Sequence, residues 1–163
     1  MRTLFADYQN GVIYSQNPLF YEEWSDESSK LLFACDEEHQ RLCQALSQLD
    51  LSSVRSLKEH YESETPEALT QKIRSIPAFR GLFSPMKLVD GGFVPDFQSR
   101  YFTADFPYGL DILIQLATLA GVSVPYMEEA SAWYHQVSGN DSSFHLNEYG
   151  ICSLEALYAV YSE

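Results

Sequence analysis

Residues 100–125 read RYFTADFPYGLDILIQLATLAGVSVP, and this stretch decides the fold class. From Pro107 to Ala120 the apolar residues Leu110, Leu113, Ile114, Leu116, Ala117 and Ala120 nearly ring a helix. Gly121 then supplies the residue a helix C-terminus favours, because without a Cβ it enters the left-handed region freely. The spacing predicts the most buried helix of the chain. Its apolar run, Leu110 to Val124, is broken by Asp111, Gln115, Thr118 and Ser123, well short of the ~20 continuous apolar residues of a membrane span. A lone cation, Arg100, precedes the helix, and an acid, Asp105, stands at its N-cap end. Two readings are open. The pair can be a structural salt bridge with a cap, or an arginine that grips a carboxylate beside an acid that orients a base.

Working outward, more helices follow. Ser25 with Asp26 and Glu27 marks a helix start, and Leu31, Cys35, Leu42, Cys43, Leu46 and Leu49 recur at the spacing of one buried face, predicting a helix from about Asp26 to Leu49. A short helix is expected over Val54–Tyr61 after Ser52 and Ser53, and another opens with Thr65 as cap and Pro66 first, buries Leu69, Ile73 and Ile76, and stops at Pro77. Asp90-Gly91-Gly92 between apolar residues predicts a small surface hairpin within Met86–Pro95. Pro125 opens a helix that ends near Ser138-Gly139-Asn140, and Ser153 caps a last one carrying Leu154, Leu157, Tyr158 and Tyr161. The expectation is one all-α domain over residues 1–163, a bundle of about six helices with a small β-hairpin.

Composition narrows the function. At 45% hydrophobic and 14% aromatic residues the chain can bury a core and should fold. Ten Lys and Arg against 23 Asp and Glu give a net charge of -13, which disfavours nucleic acid and anionic lipid as partners. Arg100 is the last Lys or Arg in the chain, so an anion bound by the C-terminal part must use Arg100, a helix N-terminus, or a cation from another polypeptide. Three cysteines cannot all pair with one another, and the first residues show no apolar signal core, so a reducing cytoplasm is the expected setting.

Several chemistries lack their anchors. The eight glycines form no G-x-G-x-x-G and no P-loop, and neither G-x-S-x-G nor H-E-x-x-H occurs. Cys35, His39 and Cys43 stand at i, i+4 and i+8, and the outer two lie ~12 Å apart along a helix, too far to share one ion. Buried cysteines acting as small hydrophobes fit better, and no metal site is assigned. His135 and His145 straddle a Gly-Asn turn and are expected to be solvated, while His60 has no partner that periodicity specifies.

The run Arg100-Tyr-x-x-x-Asp105-x-Pro107-x-Gly109-Leu110, followed by Leu116-Ala-x-Leu-Ala-Gly121-Val-x-x-Pro125, resembles the signature of the helical C-terminal domain of the octopine/nopaline (opine) dehydrogenases. The resemblance extends to Phe20-Tyr21-Glu22-Glu23, Asp36-Glu37-Glu38-x-x-Arg41, Tyr61-x-x-x-Thr65-Pro66 and Ala78-Phe79-x-Gly81-Leu82-x-x-Pro85, and more weakly to Leu146–Ile151. It implies the fold of the helical domains of opine and 6-phosphogluconate dehydrogenase-like enzymes. It also implies an oxidoreductase acting on CH-NH with NAD or NADP, which condenses an amino acid with an α-keto acid. Arg100 would hold the keto-acid carboxylate, and Asp105 would polarise a catalytic histidine.

Two departures stand out: Ala104 replaces the glutamate usual before the aspartate, and Asp90-Gly91-Gly92 looks like an added hairpin. The family's histidine precedes the region matching Arg2 to Tyr14, and none of His39, His60, His135 or His145 aligns with it. The resulting expectation is a truncated or split helical domain lacking its N-terminal Rossmann domain, inactive alone and binding no cofactor by itself. Its partners would be the amino-acid and keto-acid substrates, a separate Rossmann domain and a second copy of itself. The alternative is an orphan helical domain serving as a non-catalytic binding or dimerisation module.

Overall fold

The computed structural model describes residues 12–139 and 144–161. Most of the Arg2–Tyr14 stretch, and Asn140 of the turn expected after Ser138, lie outside the described residues. Ser25 opens the longest helix, α1 (Asp26–Ala45), by accepting a hydrogen bond from the Ser28 N–H, with Asp26 and Glu27 at the positive end of the helix dipole. The helix stops short of Leu49. Leu46 leaves helical geometry, and Leu46, Leu49 and Leu51 fold back onto one apolar cluster, so burial there outweighs four more residues of helix. The next helix also begins later than expected: α2 is Leu57–Tyr61, capped by Ser56 in a reciprocal capping box with Glu59, while Ser52 is occupied by Asp50. Thr65 and Pro66 start α3 (Pro66–Ser75) as the sequence indicates, and Pro77 opens a single 3-10 turn, Pro77–Phe79.

The hairpin is present. Its strands are β1 (Met86–Val89) and β2 (Gly92–Pro95), antiparallel with Val89 opposite Gly92, so Asp90 and Gly91 form the two-residue turn. Tyr14 docks on the outer side of β2 by exchanging two 2.8 Å backbone hydrogen bonds with Phe93. Gly92 sits at φ 145°, where a Cβ would collide with the Tyr14 carbonyl oxygen.

The deciding stretch is helical from Arg100, seven residues earlier than expected. A turn of α-helix, α4 (Arg100–Thr103), passes through right-handed Ala104 and Asp105 into a π-helical segment, Phe106–Leu110, and on into α5 (Asp111–Ala120). Pro107 explains the change of pitch: it has no N–H to donate, and its ring crowds the carbonyl four residues back. The bonds widen to i→i−5, with Leu110 N–H donating to Asp105 O at 2.9 Å and Asp111 N–H to Phe106 O. Asp105 is therefore inside a continuous helical run and makes no side-chain cap. Gly121 ends the run in the left-handed region, at φ 67°. Nor is α5 the most buried helix: only Asp111 and Ala117 are fully buried in it, against five residues of α1, because the other apolar residues of α5 are only partly covered. Next come α6 (Pro125–Ser138), a 3-10 turn Leu146–Tyr149, and α7 (Leu154–Val160), which Ser153 caps through the Ala156 N–H. With α4, the π segment and α5 taken as one run, the described residues form six helices and one hairpin, an all-α class.

Three apolar clusters hold these elements. Leu42, Leu46, Ala117, Val124, Met127 and Leu157 join α1, α5, α6 and α7. Phe102, Phe106 and Tyr134 pin the π segment to α6, with Phe106 and Tyr134 stacked at 4.3 Å. Phe33, Leu69 and Ile73 join α1 to α3. No helix among the described residues is long and apolar enough to cross a membrane.

Candidate functional site

The second and third clusters do not close on each other. Between them lies a cavity of about 420 Å³, within the usual range for small-molecule pockets. Its walls are mainly aromatic and aliphatic: Phe20, Tyr21 and Trp24 from the entry to α1, Leu31, Leu32 and Cys35 from α1, Tyr61, Ile73 and Phe79 from α2, α3 and the 3-10 turn, and Tyr101, Phe106 and Leu110 from the central run. Tyr21 stacks on Phe79 at 4.0 Å, and Phe20 packs edge-on against Tyr21 at 4.7 Å, which keeps the wall rigid. Among the described residues Asp105, an exposed one, is the sole acid of the lining, and none of the described Lys, Arg or His residues contributes to it. Burial raises the Tyr21 phenol above its ordinary value, helped by Tyr101, Tyr61 and the Asp105 charge, so Tyr21 is an uncharged hydrogen-bonding group at neutral pH.

Of the two residues singled out by sequence, Asp105 reaches this cavity. Arg100 is exposed on the first turn of the same run and is not among the lining residues. Five positions along a right-handed helix set the two roughly 140° apart about its axis. The π segment begins directly after Asp105, and such segments are frequent at functional sites. The aromatic wall is what the sequence reading missed. Its signal lay in the quoted motifs themselves, since Phe20-Tyr21, Tyr61 and Phe79 each belong to one.

Other acids of those motifs serve architecture. Glu38 is 1% exposed, and its two carboxylate oxygens accept the Tyr126 and Met127 N–H groups at 2.9 Å each, satisfying the N-terminus of α6. Asp36 does the same for α2 by accepting the Leu57 N–H at 2.9 Å. Glu22 accepts the Gly81 N–H at 2.7 Å, and Arg41 donates to the Ser123 carbonyl at 3.4 Å. His135 is not a solvated loop residue. It lies in the last turn of α6, half-buried, with Nε2 3.1 Å from Asp111 Oδ2, while Ser131 donates to Asp111 Oδ1 at 2.5 Å. His145 is exposed. On α1, Cys43 Sγ lies 3.6 Å from His39 Nε2, and Cys35 faces the cavity with its thiol pushed up to about 11 by burial and by the Glu38 and Glu129 charges.

The described residues offer no dinucleotide cradle of the strand-to-helix kind. The only sheet among them is an antiparallel hairpin, so there is no glycine-rich turn from a parallel strand into a helix to receive a pyrophosphate.

Comparison with known proteins places these observations in context. Residues 7–138 match the family described as NAD/NADP octopine/nopaline dehydrogenase, alpha-helical domain. The opine dehydrogenase of Haliotis discus hannai is 35% identical over 144 residues, covering 81% of this chain and 35% of that protein. A structure of octopine dehydrogenase with NADH and L-arginine matches with a TM-score of 0.80 at 26% identity, covering 96% of this chain and 44% of that one. Another, with NADH and pyruvate, matches with a TM-score of 0.71 at 29% identity over 83% of this chain and 34% of that one. The chain spans about a third of the length of the curated relatives it matches.

Proposed function

The chain belongs to the octopine/nopaline dehydrogenase family as its alpha-helical domain, and from that premise we propose that it is the part of an opine-dehydrogenase-type oxidoreductase that receives the amino acid and the α-keto acid. The observation that carries this reading is Asp105, an exposed carboxylate on a π-helical junction, opening onto an aromatic cavity. In the reaction the amine nitrogen bonds to the keto-acid carbonyl carbon with loss of water, and the resulting C=N bond is reduced. The hydride for that reduction comes from NADH or NADPH, for which the described residues offer no cradle, so the working enzyme needs a dinucleotide domain beside this one.

This chain's own contribution is binding and proton handling. Arg100 supplies a planar fork that matches a carboxylate in two hydrogen bonds, and it stands at the edge of the same helical run. It pairs with the keto-acid carboxylate. Asp105 orients a base, and since no histidine lines the cavity, that base comes from the companion domain. Exposed Phe83, Leu88 and Tyr161, at 65%, 74% and 70%, offer apolar area for docking such a domain or a second copy.

The test is a titration of the chain with pyruvate, followed by NMR of its backbone amides. Shifts at residues 99–106 that disappear in Arg100→Gln support the reading. Shifts elsewhere, or ones that persist in Arg100→Gln, refute the assignment of Arg100. An unresponsive chain at tens of millimolar pyruvate would leave the keto acid without a site here, and the binding-module reading would replace this one.

A further inference from the structure

The walls of the cavity carry information about which amine it takes. Beyond Asp105, which is exposed at the mouth, the described lining residues offer only uncharged groups: aromatic rings, aliphatic side chains, and the hydroxyls of Ser28, Tyr21, Tyr61 and Tyr101. The Cys35 thiol is also neutral at ordinary pH. A guanidinium drawn in past the mouth would lose its water with no counter-charge around it, and burial of an unpaired ion is costly. A sulfonate would meet the Asp105 charge and find no Lys or Arg among the described residues of the wall. An apolar side chain has neither difficulty, and the stacked Tyr21–Phe79 pair offers it a flat face.

We infer that the amino substrate carries an uncharged, apolar side chain of branched-aliphatic to aromatic size, which fills the cavity while its ammonium pairs with Asp105 and its carboxylate stays in solvent, outside the wall. This rests on the reading of the cavity as the amino-substrate site. It sets the chain apart from the octopine dehydrogenase bound to L-arginine, which it resembles in fold.

The experiment is saturation-transfer NMR on the whole chain with L-phenylalanine, L-leucine, L-arginine and taurine in turn, and then in competition. Phenylalanine and leucine should bind at least about tenfold tighter than arginine or taurine, a difference of about 1.4 kcal/mol. The variant Ser28→Glu, which adds a carboxylate to the wall at the acid-tolerant first turn of α1, should narrow that gap by weakening phenylalanine and strengthening arginine. Should that variant fail to fold, the ranking on the unmodified chain still decides. Arginine or taurine binding as tightly as phenylalanine would overturn the inference and leave the cavity as an amine site. Binding of none of the four to the folded chain would overturn the site reading itself.

Discussion

Glu38 and Asp105 are both carboxylates in the stretches that carry the family resemblance, yet the fold uses them in opposite ways. Glu38 is enclosed, and both its oxygens are committed to backbone N–H groups at the start of α6. Asp105 is exposed, caps nothing, and borders a cavity. The contrast separates residues that hold helices in register from residues left available to a ligand. A sequence motif weights the two kinds equally; burial and hydrogen-bond partners tell them apart.

The largest effect expected from breaking this contrast is at Glu38. Glu38→Ala strands one buried donor, the Met127 N–H, and one part-buried donor, the Tyr126 N–H, and should cost about 3 kcal/mol, seen as a lowered denaturant midpoint with unchanged slope. Gly92→Ala should come next, at about 2 kcal/mol, because a Cβ there collides with the Tyr14 carbonyl at a backbone angle that alanine rarely adopts. Hydrogen exchange should show the loss concentrated at Tyr14 and Phe93.

The distinction between enclosed and available groups also governs the thiols. Cys35, with its thiol at about 11, should alkylate at least about tenfold more slowly at pH 8 than exposed Cys152. Because its folded value lies above the ordinary 9.0, the unfolded thiol ionises first. Its contribution to stability is then present below pH 9 and is lost as pH rises towards 11. Mass spectrometry of labelled peptides checks the first statement and a pH series of melts the second.

Local signals in the sequence gave dependable element starts. Ser25, Thr65 with Pro66, Pro125 and Ser153 open helices, and Gly121 and Gly139 close them, because caps depend on a few neighbouring residues. Asp90-Gly91 gave the hairpin for the same reason. Long-range terms were illegible. Leu46 left α1 for a tertiary cluster, Ser56 rather than Ser52-Ser53 capped α2 with the help of Asp36, and Asp111 drew His135 out of water. Pro107 read as a helix start because a proline inside a helix is costly, and only the widened π turn accommodates it. The cavity was illegible because its walls come from five separate stretches, each of which reads as ordinary core.

The most direct test of the central claim is Asp105→Asn, read out by thermal melting and by saturation-transfer NMR with L-phenylalanine on the same sample. The melting midpoint should stay unchanged within about 2 °C, because an exposed carboxylate without a capping role contributes little to stability. Binding should weaken about fivefold, equivalent to about 1 kcal/mol for a partly solvated charge pair with the ammonium. A midpoint lowered by many degrees with binding intact would place Asp105 with Glu38 among the structural carboxylates and contradict the account.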